Sequence, residues 1–323
     1  MKKMFQLLMV FLIGVTLSCS SSSQQKAASK NEKRIVTPTQ QIQVVATTGM
    51  VADAVKNVGG EYVQVVQLMG AGVDPHLYKA SQGDIAKLEN AEMIFYSGLN
   101  LEGKMGDIFV KMARFKPVVA VTEKIDHSLL REPPEFAGHF DPHVWFDVSL
   151  WTKTLEVIAS ELSQFDPEHS EFYQRQSKEY GKKLNELHAW VKTEMMRIPK
   201  TTRVLVTAHD AFGYFGQAYD VEVMGLQGVS TVSEFGLKDI QRLVEMLAVR
   251  KIPAVFVESS IPKRSIEAVV EGSKAKGHQL VIGGELYSDA MGSPGSDADN
   301  YIGMVKANVK TIRDALLFPA SEQ

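Results

Sequence analysis

Between Pro167 and Ile198 the chain has no internal proline and a single glycine, Gly181. Phe172, Tyr173, Tyr180, Leu184, Leu187, Val191 and Met195 keep roughly one apolar face among charged residues. That pattern predicts one helix of about 30 residues, ~45 Å long at 1.5 Å rise per residue. A linker built to bend would be rich in Gly, Ser or Pro instead. The rest of the chain must therefore divide into parts that a stiff rod joins. A length of 323 residues agrees with this at roughly 100–200 residues per domain.

On both sides of the rod, β-branched runs alternate with segments of helical spacing. Strands are expected at 41–47, 62–68, 92–96 and 117–121, and again at 203–207, 221–226, 254–258 and 279–282. Helices fit 50–58, 81–90, 101–114, 147–165, 211–218, 237–250, 263–275 and 300–317. Ser81 with Asp84 has the form of a capping box. Such alternation gives an α/β fold: two similar lobes, each a mainly parallel sheet flanked by helices, at 41–166 and 199–323. The helix at 167–198 joins them. In sheets of this kind ligands sit beyond the carboxyl ends of the strands.

The first 18 residues look like an export signal. Lys2 and Lys3 precede an apolar run from Met4 to Leu17, too short to span a bilayer. The run ends at Ser18-Cys19, and Cys19 is the only cysteine. This resembles a lipoprotein box, with Thr16 where leucine is usual, and implies diacylation of Cys19. The alternative is an ordinary cleavage site with a cysteine nearby. Two acyl chains anchor stably where one does not. Removing residues 1–18 takes away two lysines and no acids, moving the formal charge from −3 to −5. Residues 19–40 show no periodicity and read as a flexible tether. A pI near 6.3 provides no basic field for nucleic acid, and one cysteine excludes an internal disulfide framework.

Four short motifs fall where strands end. Asp74-Pro75-His76 follows the second strand, Asp141-Pro142-His143 closes a Pro/Gly-rich loop, Ala208-His209-Asp210 follows the fifth strand, and Ser288-Asp289 follows the last. Three imidazoles and a carboxylate suit a divalent transition metal. With two ligands from each lobe, His76 and His143 against His209 and Asp289, the ion would staple the lobes together. His139 is read as plain loop or a metal-collecting residue, and Glu258 as either a salt-bridge partner or a support for a ligand. His127, His169, His188 and His278 read as polar surface, and the tryptophans as packing.

The motifs His209-Asp210-Ala211-Phe212-Gly213-Tyr214-Phe215, Asp141-Pro142-His143-Val144-Trp145, Gly225-Leu226-Gln227, Val257-Glu258-Ser259 and Gly284-Glu285-Leu286-Tyr287-Ser288-Asp289 all occur in this chain. Together they resemble the TroA-like metal-binding lipoproteins that serve zinc and manganese ABC importers, over about residues 41–318. The resemblance implies metal ligands at His76, His143, His209 and Asp289 and delivery to an ABC permease and its ATPase. It also implies no catalytic cofactor, a bacterial envelope location facing the periplasm or the exterior, and a monomer. Manganese-preferring relatives often carry Glu where this chain has His209, and zinc-specific ones a His/acid-rich loop that this chain lacks. The cargo is therefore left among Zn²⁺, Mn²⁺ and Fe²⁺, with zinc the tighter ligand by the Irving–Williams order. A zinc-dependent hydrolase is the alternative from another class, and adhesion is a secondary role to weigh. The chain has no H-E-x-x-H motif to favour hydrolysis.

Overall fold

The computed structural model describes residues 36–136, 138–232 and 236–317. Cys19 and the expected export signal lie outside these residues. The body begins earlier than the expected boundary at residue 41. Val36 is buried in the main core, and Thr37 bridges Gln40.

The N-terminal half is a four-stranded sheet in the order β2-β1-β3-β4, parallel throughout. Its strands are β1 (Ile42–Ala46), β2 (Val63–Gln67), β3 (Met93–Tyr96) and β4 (Val118–Ala120). The strands use their period of two. Ile42, Val44 and Ala46 face one core, while Val45 faces another with Leu68, Leu88, Ile94 and Phe109. Helix α1 (Gly49–Gly59) starts on Thr48, whose side chain accepts from Val51 N–H, and it ends at Gly60 with φ 53°. Helix α2 (Gln82–Asn90) carries the expected capping box, with Ser81 and Asp84 each satisfying the other's backbone.

Two expected helices are shorter or broken. Residues 101–114 give only a 3₁₀ turn at Gly103–Met105 and α3 (Gly106–Met112). Gly98, Leu99 and Asn100 all take positive φ (93°, 52° and 65°), which excludes a helical start there. The stretch 147–165 divides into α4 (Val148–Trp151) and α5 (Thr154–Phe165). Thr152 Oγ1 donates to Val148 O and Thr154 Oγ1 to Trp151 O, both at 2.8 Å. Hydroxyls that bond the backbone in this way compete with a continuous helix.

The rod is α6 (Ser170–Met196), entered through a 3₁₀ turn at Pro167–His169. Tyr173, Tyr180, Leu184, Leu187, Val191 and Met195 are its buried face. It packs against α1, α4 and α5 of the first half. On the other side it meets α7 (Gly213–Tyr219) and α10 (Tyr301–Leu317) of the second half. Tyr180 donates its hydroxyl to Asp53 on α1, and Arg313 on α10 pairs with Glu194. One core thus runs through both halves, from Val44 and Trp151 through Leu184 to Phe256 and Ile312.

The second half holds two parallel pairs rather than one continuous sheet: β5 (Val204–His209) with β6 (Glu222–Gln227), and β7 (Ala254–Glu258) with β8 (Val281–Leu286). β5 and β7 lie against each other, under α8 (Leu237–Arg250) and α9 (Arg264–Ala275). β8 runs past the expected end at 282 through Gly283 and Gly284. A Cβ at Gly283 would come within 2.6 Å of Ala315, and one at Gly284 within 2.5 Å of Thr311. The glycines let α10 lie directly on the strand, a use of glycine that sequence reads as a turn. Among the described residues no helix is long and apolar enough to cross a membrane.

Leu184 is fully buried and Met196 is 64% exposed on the same helix. Leu184→Ala should destabilise the metal-free protein by about 2–5 kcal/mol, and Met196→Ala by less than about 0.5 kcal/mol. Urea unfolding of the two variants checks this.

Candidate metal site

Each of the four motifs ends in a loop beyond a strand. His76 follows β2 after a tight turn at Gly70–Gly72, where Val73 N–H bonds Gly70 O and Gly72 has φ 72°. Asp74 Oδ1 accepts from the His76 N–H at 2.8 Å and fixes the turn. His143 precedes a 3₁₀ turn at Val144–Phe146. Asp141 Oδ1 holds it twice, at 3.0 Å from the backbone N–H and 2.8 Å from ring Nδ1. His209 is the last residue of β5. Glu258, last in β7, accepts from its N–H at 2.9 Å through Oε1, and Oε2 lies 2.6 Å from ring Nδ1. Asp289 follows β8.

The four side chains converge in a buried pocket. His143 and His209 are fully buried, Asp289 is 2% exposed and His76 5%. One donor atom from each lies within 4.8 Å of all the others. His76 Nε2 is 3.2 Å from His143 Nε2 and 3.9 Å from Asp289 Oδ2. Asp289 Oδ1 is 3.4 Å from His143 Nε2, and its Oδ2 is 3.4 Å from His209 Nε2. Donors about 2.1 Å from a tetrahedral ion stand ~3.4 Å apart, so the pocket has the size of a coordination shell. Neither Asp289 oxygen nor His209 Nε2 has a hydrogen-bond partner among the described residues. Buried polar atoms left bare in this way are costly unless a cation joins them.

The surrounding carboxylates set the tautomers. With Nδ1 of His143 turned to Asp141 and Nδ1 of His209 to Glu258, each ring presents its Nε2 lone pair inward. Arg131 NH1 pairs with the other oxygen of Asp141 at 2.5 Å. Burial alone would lower the pKa of His143, but its hydrogen bond to Asp141 and the nearby negative charge of Asp289 carry it up to about 9. At His209 burial is again outweighed, here by the charges of Glu258 and Asp289, and the pKa lies well above the ordinary value. Burial wins at His76 and pushes it down to about 3. At Asp289 burial opposes ionisation, yet the imidazoles of His209 and His143 hold the carboxyl well below its usual range. Without a metal, protons on His143 and His209 are the available counter-charge.

Several contacts knit the halves around the pocket. Trp145 Nε1 donates to Ser288 O at 3.1 Å, and Tyr301 OH to Trp145 O at 2.6 Å. Thr231 Oγ1 donates to Asp74 Oδ2 at 2.7 Å. Tyr214 OH donates to Asp141 O and accepts from Arg131 N–H. Arg131 and Thr231 are supports that sequence reasoning missed. Only the fold shows why Gly213 matters to Arg131: a Cβ there would fall 1.2 Å from its NH1.

The remaining histidines stand apart from the cluster. His139 is exposed and its ring lies against Phe136, and His127 lies against Phe140. His169 bonds Asp166 and stacks on Tyr62. His188 bonds Tyr219, and His278 the carbonyl of Ile252. Asp210 is not in the cluster; its backbone N–H bonds Gln227 O. Trp145 is fully buried, packing edge-on to His143.

Comparison with known proteins gives one consistent answer. The family model described as "Zinc-uptake complex component A periplasmic" (ZnuA) matches residues 44–315. The manganese-binding lipoprotein MntA of Bacillus subtilis is 51% identical over 277 residues, 86% of this chain and 90% of that protein. The zinc-binding protein TroA of Treponema pallidum is 48% identical over 273 residues, 84% of this chain and 88% of that one. The solved structure of the periplasmic zinc-binding TroA from Treponema pallidum superposes with a TM-score of 0.83 at 47% identity, covering 85% of this chain and 99% of that one. The chain belongs to the ZnuA family, to which its two parallel-sheet halves and bridging helix conform.

Proposed function

We propose that this protein captures a divalent transition metal outside the cytoplasm and delivers it to the permease and ATPase of an ABC importer. His76, His143, His209 and Asp289 are the ligands. The observation that carries the reading is the buried His₃Asp pocket in which both Asp289 oxygens lack a hydrogen-bond partner among the described residues. A relative 32% identical over 322 residues, covering 98% of this chain and 99% of its own, is named as the manganese ABC transporter substrate-binding lipoprotein PsaA of Streptococcus pneumoniae. The names of the relatives divide between manganese and zinc. Three nitrogen donors favour zinc in affinity, while cellular supply decides which ion is carried. Hydrolysis gains no support from these relatives. Both carboxylates beside the ligands, Asp141 and Glu258, are committed to imidazole nitrogens, so neither is free to serve as a general base. Acylation of Cys19 would keep the receptor near its permease, and a single chain suffices for the site.

Capture exchanges protons for metal. Each ligating imidazole must be neutral. His76 already is, whereas His143 and His209 hold protons in the metal-free pocket at neutral pH. The ion displaces them, and low pH opposes it.

Calorimetric titration with zinc tests the assignment. His209→Ala should lower affinity by on the order of 100-fold or more, and Glu258→Gln by about 10–100-fold, with the metal-free fold retained by circular dichroism. Unchanged affinity in His209→Ala removes that residue from the site. Zinc affinity should also rise with pH through the neutral range, about tenfold per pH unit for each proton displaced. Titrations in buffers of different ionisation enthalpy read the proton release directly, and a flat profile overturns the exchange.

A further inference from the structure

We infer that Thr231 fastens a strap across the mouth of the metal pocket, and that its hydroxyl sets how fast the ion enters and leaves. A cleft of about 360 Å³ opens beside His76, the most exposed of the four proposed ligands at 5%. One wall is the turn carrying Asn100 and Leu101, and another is the segment carrying Ser230 and Val232. Thr231 stands between these last two and reaches across the halves. Its Oγ1 donates to Asp74 Oδ2 at 2.7 Å, while Asp74 Oδ1 accepts from the His76 N–H at 2.8 Å. The Thr231 carbonyl in turn accepts from Gln227 Nε2 at 2.6 Å. Gln227 ends β6 in register with His209 on β5, and its carbonyl accepts from the Asp210 N–H at 3.0 Å. One run of hydrogen bonds thus leads from the backbone of His76 on the first half to the strand end at His209 on the second.

The two walls differ in what holds them. Beside Asn100 and Leu101 lies Glu102, a buried residue whose carboxylate accepts from Thr47 Oγ1 and from the N–H groups of Ser97 and Gly98, at 2.6, 2.8 and 3.3 Å. Stripping three donors from a buried carboxylate is strongly unfavourable, so this wall is fixed. The 230–232 wall depends instead on the bonds of a half-buried threonine. Trp145–Ser288, Tyr301–Trp145 and Tyr214–Asp141, which also join the halves here, lie between buried residues. Beside them Thr231–Asp74 is the easier link to break, and its loss frees the 230–232 wall and the turn of His76 at once. The strap holds His76 by its backbone, and no ring nitrogen takes part in it. It can therefore form with or without an ion, and it acts on passage more than on coordination. Association slows when binding waits on such a movement. This role rests on the metal reading above.

Stopped-flow zinc kinetics on Thr231→Val, which keeps the side chain's shape and removes its hydroxyl, test the strap. Fluorescence of Trp145, edge-on to His143, follows association. An excess of a fluorescent zinc chelator, at levels where the rate no longer rises with its concentration, follows release. Both rates should rise about tenfold, as for loss of one hydrogen bond to a charged acceptor, with affinity within about threefold of the parent. Thr231→Ser keeps the hydroxyl and should restore the parent's rates. Unchanged rates in Thr231→Val, with zinc still bound, overturn the strap alone and leave the four ligands in place. A rise in only one of the two rates overturns it too: faster release by itself would make the hydroxyl a support for His76. A Thr231→Ser variant as fast as Thr231→Val also counts against it, since the hydroxyl would then not be the cause. A parent protein that takes up no zinc strikes the metal reading first, and the strap with it.

Discussion

Two carboxylates outside the cluster of four govern this pocket. Asp141 and Glu258 each grip an imidazole at Nδ1, at 2.8 and 2.6 Å. With that nitrogen engaged, the other must point into the pocket, where His76 and Asp289 wait. A buried lone pair and a buried carboxylate with no donors are each expensive. The protein keeps both because the space between them matches a divalent cation. The negative surroundings make the choice competitive: the pocket takes either protons or metal as its positive charge. Of the two supporting carboxylates, Asp141 has a guanidinium to share its charge, so the two imidazoles are electrically unequal. His209 feels Glu258 directly, and His143 feels a carboxylate tempered by Arg131.

Such a pocket demands a scaffold that fixes four loops to within a fraction of an ångström. The shared core provides it. α6 buries one face against helices of both halves, and the same cluster of side chains continues into Trp145 and Tyr301 beside the ligands. A wide hinge would have to break that core. Interiors packed at crystal-like density do not deform continuously. Any opening of the pocket then falls to the loops around it, where Thr231–Asp74 and Trp145–Ser288 are bonds that span the halves.

Much of this was legible in the chain. Strand-ending motifs placed His76, His143, His209 and Asp289 at carboxyl edges, and the structure brings their donors within 4.8 Å. The rod could be read because its apolar face persists without a breaker. What was hidden depended on approach between segments far apart in sequence. Gly283-Gly284 looks like a turn until α10 is laid on the strand. The break between α4 and α5 depends on Thr152 and Thr154 choosing backbone carbonyls over water. Val36 joined the core from a stretch that has no periodicity of its own. Arg131 looked like one more charge in a loop, since its partners lie 10 residues along at Asp141 and across the cleft at Tyr214.

Gly213 shows what such couplings mean for change in this chain. The space left by its missing methyl group is filled by the tip of Arg131. A larger residue at that one position on the second half would push the guanidinium of the first half aside and loosen its pairing with Asp141. His143 would then cling harder to its proton, and an incoming ion would compete on worse terms. The affinity of this pocket for a cation at a given pH is thus open to adjustment by a hydrogen-for-carbon swap at a helix start, with His76, His143, His209 and Asp289 untouched.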